Sequence, residues 1–299
     1  MEVTMKHFLQ GAYDLHVHSA PDVLPRLMDD IEMAKRITDT KMAGYAIKSH
    51  YFCTAERATL INTLFPACEA IGTITLNSSV GGINPTAVEM AGRAGTKLVW
   101  FPTCDNPTER AHVFNGDPNK KLPYWAQILI TMKEEGIDAP TVEIFNEKGR
   151  LSDSTMQVLE IIAKHEMILA TSHLSHEETF ALVKEAHARG VKNIIITHVD
   201  FPTTFYTIEE QKELAKYGAY MEHCYTTWAT GKIDFATTVA QIKSLGPERV
   251  IIATDLGQKT SIYPDEGMQS FAEKLYENGI DEKAIRTMFV TNQRTLLGK

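Results

Sequence analysis

Short apolar runs recur along the chain, and each is followed by a stretch whose apolar residues return every three or four positions. The runs at 13–18, 44–50, 73–77, 97–102, 167–173, 193–198, 219–223 and 250–255 read as eight strands. The stretches at 27–40, 54–65, 84–94, 152–165, 176–189, 207–217, 234–245, 264–278 and 281–292 read as helices. Several carry start signals: Ser152 and Asp153 ahead of Met156, Ser175 ahead of Glu177-Glu178, and Asn84-Pro85. Gly44, Gly95, Gly136, Gly190 and Gly218 stand where a helix ends and a strand follows. Strand and helix alternating eight times within 299 residues predicts an α/β fold, a (β/α)8 TIM barrel. An open doubly wound sheet is the alternative. A nucleotide-binding sheet of that kind would carry a Gly-rich phosphate turn, and Gly81-Gly82 is only a turn.

The rhythm breaks once, after the fourth strand. Residues 104–151 read as an insertion within one barrel domain spanning 1–299. The insertion holds a Pro/Asn/Lys-rich segment, a helix near 125–135 and a hairpin turn at Glu147-Lys148-Gly149. Loops of this length shape pockets or run free on the surface.

Composition narrows the function classes. With 43% hydrophobic and 23% charged residues the chain is ordinary globular material, and its net charge of −8 comes without any basic, aromatic-rich run. Nucleic acid is therefore not expected as a partner. Cys53, Cys68, Cys104 and Cys224 are scattered without a C-x-x-C, which fits reduced thiols in the cytoplasm. Residues 1–10 show no apolar signal core and no run is long enough to span a bilayer, so neither export nor a membrane is expected. A small-molecule substrate is the expected partner, and a homo-oligomer is left open.

In an α/β barrel, catalytic groups sit at the carboxyl ends of the strands. The first run ends in Asp14-Leu15-His16-Val17-His18, the fifth in His173, the sixth in Thr197-His198-Val199-Asp200 and the eighth in Asp255. A lone His-x-His is weak evidence, but four of the 11 histidines fall at these ends. Strand alternation puts His16 and His18 on one face. It also gives His198 the face of Ile194 and Ile196, and Asp255 the face of Ile251 and Ala253, both read as inward.

This pattern of Asp-x-His-x-His, two further strand-end histidines and a final aspartate resembles the amidohydrolase superfamily. Thr197-His198-Val199-Asp200 is similar to its phosphotriesterase-like and TatD-like branches, and Thr291–Gly298 to the closing helix of many members. The resemblance implies a barrel holding one or two divalent metals. His16, His18 and Asp255 would bind the more buried ion. His173 and His198 would bind a second, or one of them would complete a single site. Asp255 would also act as general base toward metal-activated water. Zinc suits nitrogen and carboxylate ligands, and manganese, iron and nickel suit them as well.

One feature departs from the family. Binuclear members carry a carboxylated lysine or a glutamate on strand four, and Val99-Trp100-Phe101-Pro102-Thr103 offers neither. Lys48, on the face of Ala46 and His50 in the second strand, is the candidate for a displaced bridging lysine or a cationic substrate contact. Glu222 and Glu143 are weaker candidates. His50 is expected in the site as ligand, acid/base or substrate contact. Arg26 and Arg57, which follow the first two strand ends, are candidates for binding an anionic substrate. His223 is read as structural, and His112, His165, His176 and His187 as facing solvent. Thr226-Thr227-Trp228 follows the seventh strand and stands where a segment could close over a ligand.

The function expected from this set is metal-dependent hydrolysis of a small amide, lactone or other ester. Two enzyme alternatives remain. One is a phosphoesterase of the polymerase-and-histidinol-phosphatase type, which also opens Asp-x-His-x-His-Ser but typically closes with Asp-x-His, where Asp255 is followed by Leu256-Gly257. The other is a metal-dependent decarboxylase or lyase on the same barrel. A purely structural metal would be expected in a closed, cysteine-rich set.

Overall fold

The computed structural model describes residues 8–117 and 121–299. The signal-peptide reading at 1–7 and the middle of the insertion, 118–120, lie outside the described residues. Eight strands form one parallel sheet in sequential order: β1 (Tyr13–Val17), β2 (Gly44–Ile47), β3 (Glu69–Thr75), β4 (Leu98–Trp100), β5 (Ile168–Ala170), β6 (Ile194–Ile196), β7 (Tyr220–Cys224) and β8 (Val250–Ala253). The ring closes just past the last strand. Val17 bridges Leu256, Asp255 donates its N–H to His16 O at 2.8 Å, and His18 donates to Leu256 O at 2.8 Å.

Strand alternation sorts the apolar residues into two sets. Tyr13, Leu15, Ala46, Ile71, Leu98, Ile168, Ile195, Tyr220 and Ile251 fill the barrel interior. Their neighbours in the strands, among them Tyr45, Ile47, Val99, Leu169, Ile252 and the pair Ile194 and Ile196, pack outward against the helices. The inward reading of Ile194 and Ile196 is thereby corrected. Only Ile195 of β6 faces the interior, so His198 does not reach the site by simple alternation.

The outer helices are α1 (Asp30–Asp39), α2 (Ala55–Leu64), α3 (Pro85–Arg93), α4 (Pro107–Val113), α5 (Ala126–Glu134), α6 (Asp153–Lys164), α7 (His176–Ala188), α8 (Ile208–Ala215), α9 (Tyr225–Ala229), α10 (Phe235–Leu245), α11 (Pro264–Glu277), α12 (Glu282–Arg286) and α13 (Asn292–Leu296). Their starts follow the sequence signals. Ser152 caps α6, and Ser175 with Glu178 forms a full capping box on α7. The single helix expected at 281–292 is instead two short helices joined by a π-helical turn over Thr287–Thr291. That turn brings Asn292 and Gln293 under β8, where they donate to Val250 O and Ile252 O at 2.7 and 2.6 Å. Leu296 joins the floor of the barrel. α4, α5 and the turn closed by a Phe145–Leu151 bridge lie between β4 and α6. Among the described residues, no helix is long and apolar enough to cross a membrane.

Candidate active site at the barrel mouth

Irregular backbone delivers the polar side chains. The β1–β2 register shifts between Asp14 and Val17. Leu15 faces the interior below the shift, and the rings of His16 and His18 stand together above it. A bulge re-aims side chains in this way at barrel rims. Asp14 fixes the shift. One carboxylate oxygen accepts from His16 N and Thr254 N, each at 3.1 Å, and the other accepts the Thr254 hydroxyl at 2.5 Å. Burial raises the Asp14 pKa to about 7. On the other site-bearing strands the chain turns through left-handed φ at Ser172 (57°), His198 (31°) and Asp255 (54°). Such conformations are unfavourable for non-glycine residues and concentrate at functional sites. Beside them Gly257 runs so close to β1 that a Cβ there would lie 1.7 Å from His18 O, at a φ of +130°.

His16, His18 and Asp255 present donor atoms that all lie within 4.8 Å of one another. His16 Nε2 and His18 Nε2 are each 3.2 Å from Asp255 Oδ1. A tetrahedral zinc ion bonded at about 2.0–2.1 Å separates its ligands by about 3.3 Å, so these distances are those of one coordination edge. Glu222 Oε2 takes the His16 Nδ1 proton at 3.2 Å, which leaves the Nε2 lone pair toward Asp255. Lys48 Nζ lies 2.7 Å from the same His16 Nε2. Burial and Lys48 would lower the His16 pKa, but Asp255 and Glu222 outweigh them and raise it. Burial lowers that of Lys48 against the pull of Asp255 and Glu222. For Asp255, burial alone would raise the pKa, yet His16 and His18 hold it well below the usual carboxylate range. His16, Glu222 and Cys224 form a second convergent trio. Burial keeps the Cys224 thiol protonated, however, and His16 Nδ1 is already committed to Glu222.

β4 ends at the mouth in Trp100. Its ring packs against His16 at 4.6 Å and carries the Lys48 ammonium 4.1 Å above its centroid. Across the mouth, His173 Nε2 and His198 Nε2 face each other at 3.2 Å. Thr204 gives its hydroxyl proton to His198 O and so receives the Nδ1 proton of His198 at 3.0 Å. Glu109 Oε1 lies 3.3 Å from His173 Nδ1. Both rings are thus backed at Nδ1 and open at Nε2, another arrangement that suits a proton or a cation between them.

His50 stacks on His18 at 4.9 Å, and its Nδ1 meets the Thr103 hydroxyl at 2.8 Å. Burial, with His18, Lys48 and Arg26 nearby, drives its pKa well below the usual histidine value. Arg26 lies at the site edge, with Nη2 3.4 Å from His18 Nδ1 while Nε donates to Asp22 at 2.7 Å. That contact uses the His18 Nδ1 lone pair and leaves the proton on Nε2, donated to Asp255. Coordination through Nε2 would move that proton to Nδ1 and turn Arg26 wholly to Asp22. Burial and Arg26 hold His18 neutral, with its pKa lowered to about 3.

Other candidates stand elsewhere. Arg57 is held by Asp30 at 2.8 Å and by Ser19 O at 2.9 Å. Glu143 is exposed and lines a separate groove with Ser78 and Gly82. His223 faces away from Glu222 and bonds Asp200 at 2.8 Å. Thr226 donates to Asp255 Oδ2 at 3.2 Å. His165 is only partly exposed, bound to Glu89 at 2.9 Å, which corrects its reading as a solvent-facing residue. Sequence reasoning gave no role to Asp14 or Glu109. Asp14 was visible as the first residue of its motif. Glu109 carried one signal: its place in the first turn of a Pro-started helix directly after β4.

Residues 11–222 match the model of DUF6282, a family of unknown function. The chain belongs to this family. No curated protein matches it in sequence. Among solved structures, an amidohydrolase from Pseudomonas aeruginosa superposes with a TM-score of 0.63 at 11% identity, covering 98% of this chain and 97% of that one. The probable dipeptidase PvdM from the same organism gives 0.61 at 11% identity, covering 99% and 96%. Dipeptidase AC, a metallopeptidase, gives 0.58 at 12% identity, covering 97% and 98%. This DUF6282 member therefore shares the barrel fold of these three proteins along nearly its whole length.

Proposed function

We propose that the protein is a metal-dependent hydrolase that cleaves an amide, lactone or other ester bond in a small molecule. The observation that carries this is the convergence of His16 Nε2 and His18 Nε2 on Asp255 Oδ1 at 3.2 Å each, with Glu222 fixing the His16 tautomer. This donor set fits a divalent ion of the zinc class, held by His16, His18 and Asp255, with His173 and His198 as ligands on the far side. When bound, the ion supplies Lewis-acid polarisation and brings water's pKa toward neutrality.

The remaining work falls to the chain. Asp255, ionised and steadied by the Thr226 hydroxyl, is placed to accept a proton from the attacking water. His50 is neutral and opens on the mouth beside His18, in place to hydrogen-bond the leaving group. Lys48 would serve as the displaced bridging lysine. It could act as a ligand only after its positive charge is removed, through its nitrogen once deprotonated, or through a carbamate oxygen once carbon dioxide has added to that nitrogen and its proton has passed to water. Metal analysis of the purified protein, joined to a panel of lactones, aryl esters and N-acyl amino acids, tests this reading. One to two divalent ions per chain and turnover abolished in His16→Ala are expected. Absence of metal, with activity indifferent to His16→Ala, would overturn it.

A further inference from the structure

We propose that Lys232 is the anion-recognising residue of the mouth, so that the substrate carries a carboxylate at a distance from the bond that is cleaved; this rests on the hydrolase reading above. Lys232 follows α9 on a turn held by its own N–H, which donates to Thr227 O at 3.1 Å. Its ammonium lies 4.1 Å above the ring of Phe201. That ring in turn packs against His198 at 4.9 Å and His173 at 6.4 Å. One aromatic ring therefore separates the charge from the two imidazoles on the far side of the site.

Among the described residues, no carboxylate stands within ion-pair distance of Lys232. Asp255 and Glu109 are the carboxylates whose field Lys232 feels most, and each is already committed, to His16 and His18 and to His173 respectively. Packing against Phe201 lowers the Lys232 pKa, and the like charge of Lys121 adds to that. The residue is exposed at the mouth, so its ammonium, seated over a ring and lacking a counter-ion, is within reach of an incoming anion. Arg26, the other cation at the rim, already has Asp22.

The test uses full-length, metal-loaded protein as wild type, Lys232→Gln and Lys232→Arg. Dicarboxylates from malonate to adipate, and monocarboxylates of matching length, are titrated by calorimetry. At least one dicarboxylate should bind wild type about tenfold or more tightly than its monocarboxylate. Lys232→Gln should bring that ratio near one, Lys232→Arg should keep it, and thermal unfolding should not change. A ratio equal in wild type and Lys232→Gln, or no preference in wild type, overturns the proposal. In parallel, the 4-nitrophenyl monoesters of the same dicarboxylates and their methyl-capped forms are offered as substrates. If wild type cleaves neither while the dicarboxylate preference persists, the hydrolase reading fails and the anion site stands.

Discussion

The floor and the mouth of this barrel are built from the same strands and are equally dry, yet they differ in chemistry. Leu15, Leu98 and Ile195 on the floor are 0% exposed, as are His16 and Glu222 at the mouth, with Lys48 at 1%. On the floor, burial removes apolar surface from water and stabilises the fold. At the mouth the same burial opposes charge, and the groups persist there only because each holds a partner. Local backbone follows the division. Below, regular alternation suffices; above, a register shift and left-handed residues aim the donors. The lower half carries the stability and the upper half carries strain and charge, which is the division expected when function opposes stability.

The sharpest way to break this comparison is Asp255→Asn. The amide keeps the shape but cannot accept a proton, and it weakens the ion's binding. Hydrolysis should fall by about 10³-fold or more. The metal-free protein should also lose up to about 3–5 kcal/mol of stability, because His16 and His18 lose the carboxylate that they hold ionised. An unchanged melting temperature in the metal-free state would show that the mouth contributes no net stability.

The converse is Leu98→Ala on the floor. It should destabilise by about 2–5 kcal/mol, with metal stoichiometry and kcat/KM retained in the folded fraction. Denaturant melts and metal analysis on one preparation check both halves.

Between the two stands Gly257→Ala. A Cβ at 1.7 Å from His18 O forces the loop carrying Asp255 away from β1. A displacement near 1 Å at reacting groups costs about 10²-fold in rate. A stability change should accompany it, and kcat should suffer more than metal affinity if the His16–His18 pair stays in place.

The same division governs how much the sequence discloses. The eight-fold rhythm is legible because each strand carries an apolar run and most helices a capping residue. The donors at His16, His18, His173, His198 and Asp255 are legible because polar residues terminate those runs. The polarity pattern runs on to His173, His198 and Asp255, whereas the hydrogen-bonded ladder stops at Ala170, Ile196 and Ala253. Alternation failed at His198 for a related reason. A residue at φ of 31° no longer obeys period two, and no local pattern announces it. Glu109 shows only its first-turn position in the sequence, and Lys232 shows no signal there. Each reaches the mouth on a segment whose course is set by tertiary packing, Glu109 beside His173 and Lys232 over Phe201.

The smallest expected effect separates the two buried chemistries by their protons. In the metal-free protein, His18 is held neutral down to about pH 3, and His50 and His198 also lie well below their usual value. Between about pH 4 and 6 the unfolded chain protonates these three and the folded chain does not, so each makes stability rise with pH. Asp14 acts in the opposite sense. Its folded pKa of about 7 exceeds the ordinary 3.8, so the folded state holds a proton that the unfolded state has lost, and stability falls as pH rises through the same window. One proton is worth at most about 1.4 kcal/mol per pH unit, so three histidines outweigh one aspartate and net stability should rise from pH 4 to 6. Asp14→Asn removes only the opposing contribution. Its stability curve, measured by urea melts across that window, should climb more steeply than wild type by up to about 1.4 kcal/mol per pH unit. Equal slopes would mean that Asp14 is ionised in the fold, and that the clamp joining β1 to Thr254 is made by a charge instead of a shared proton.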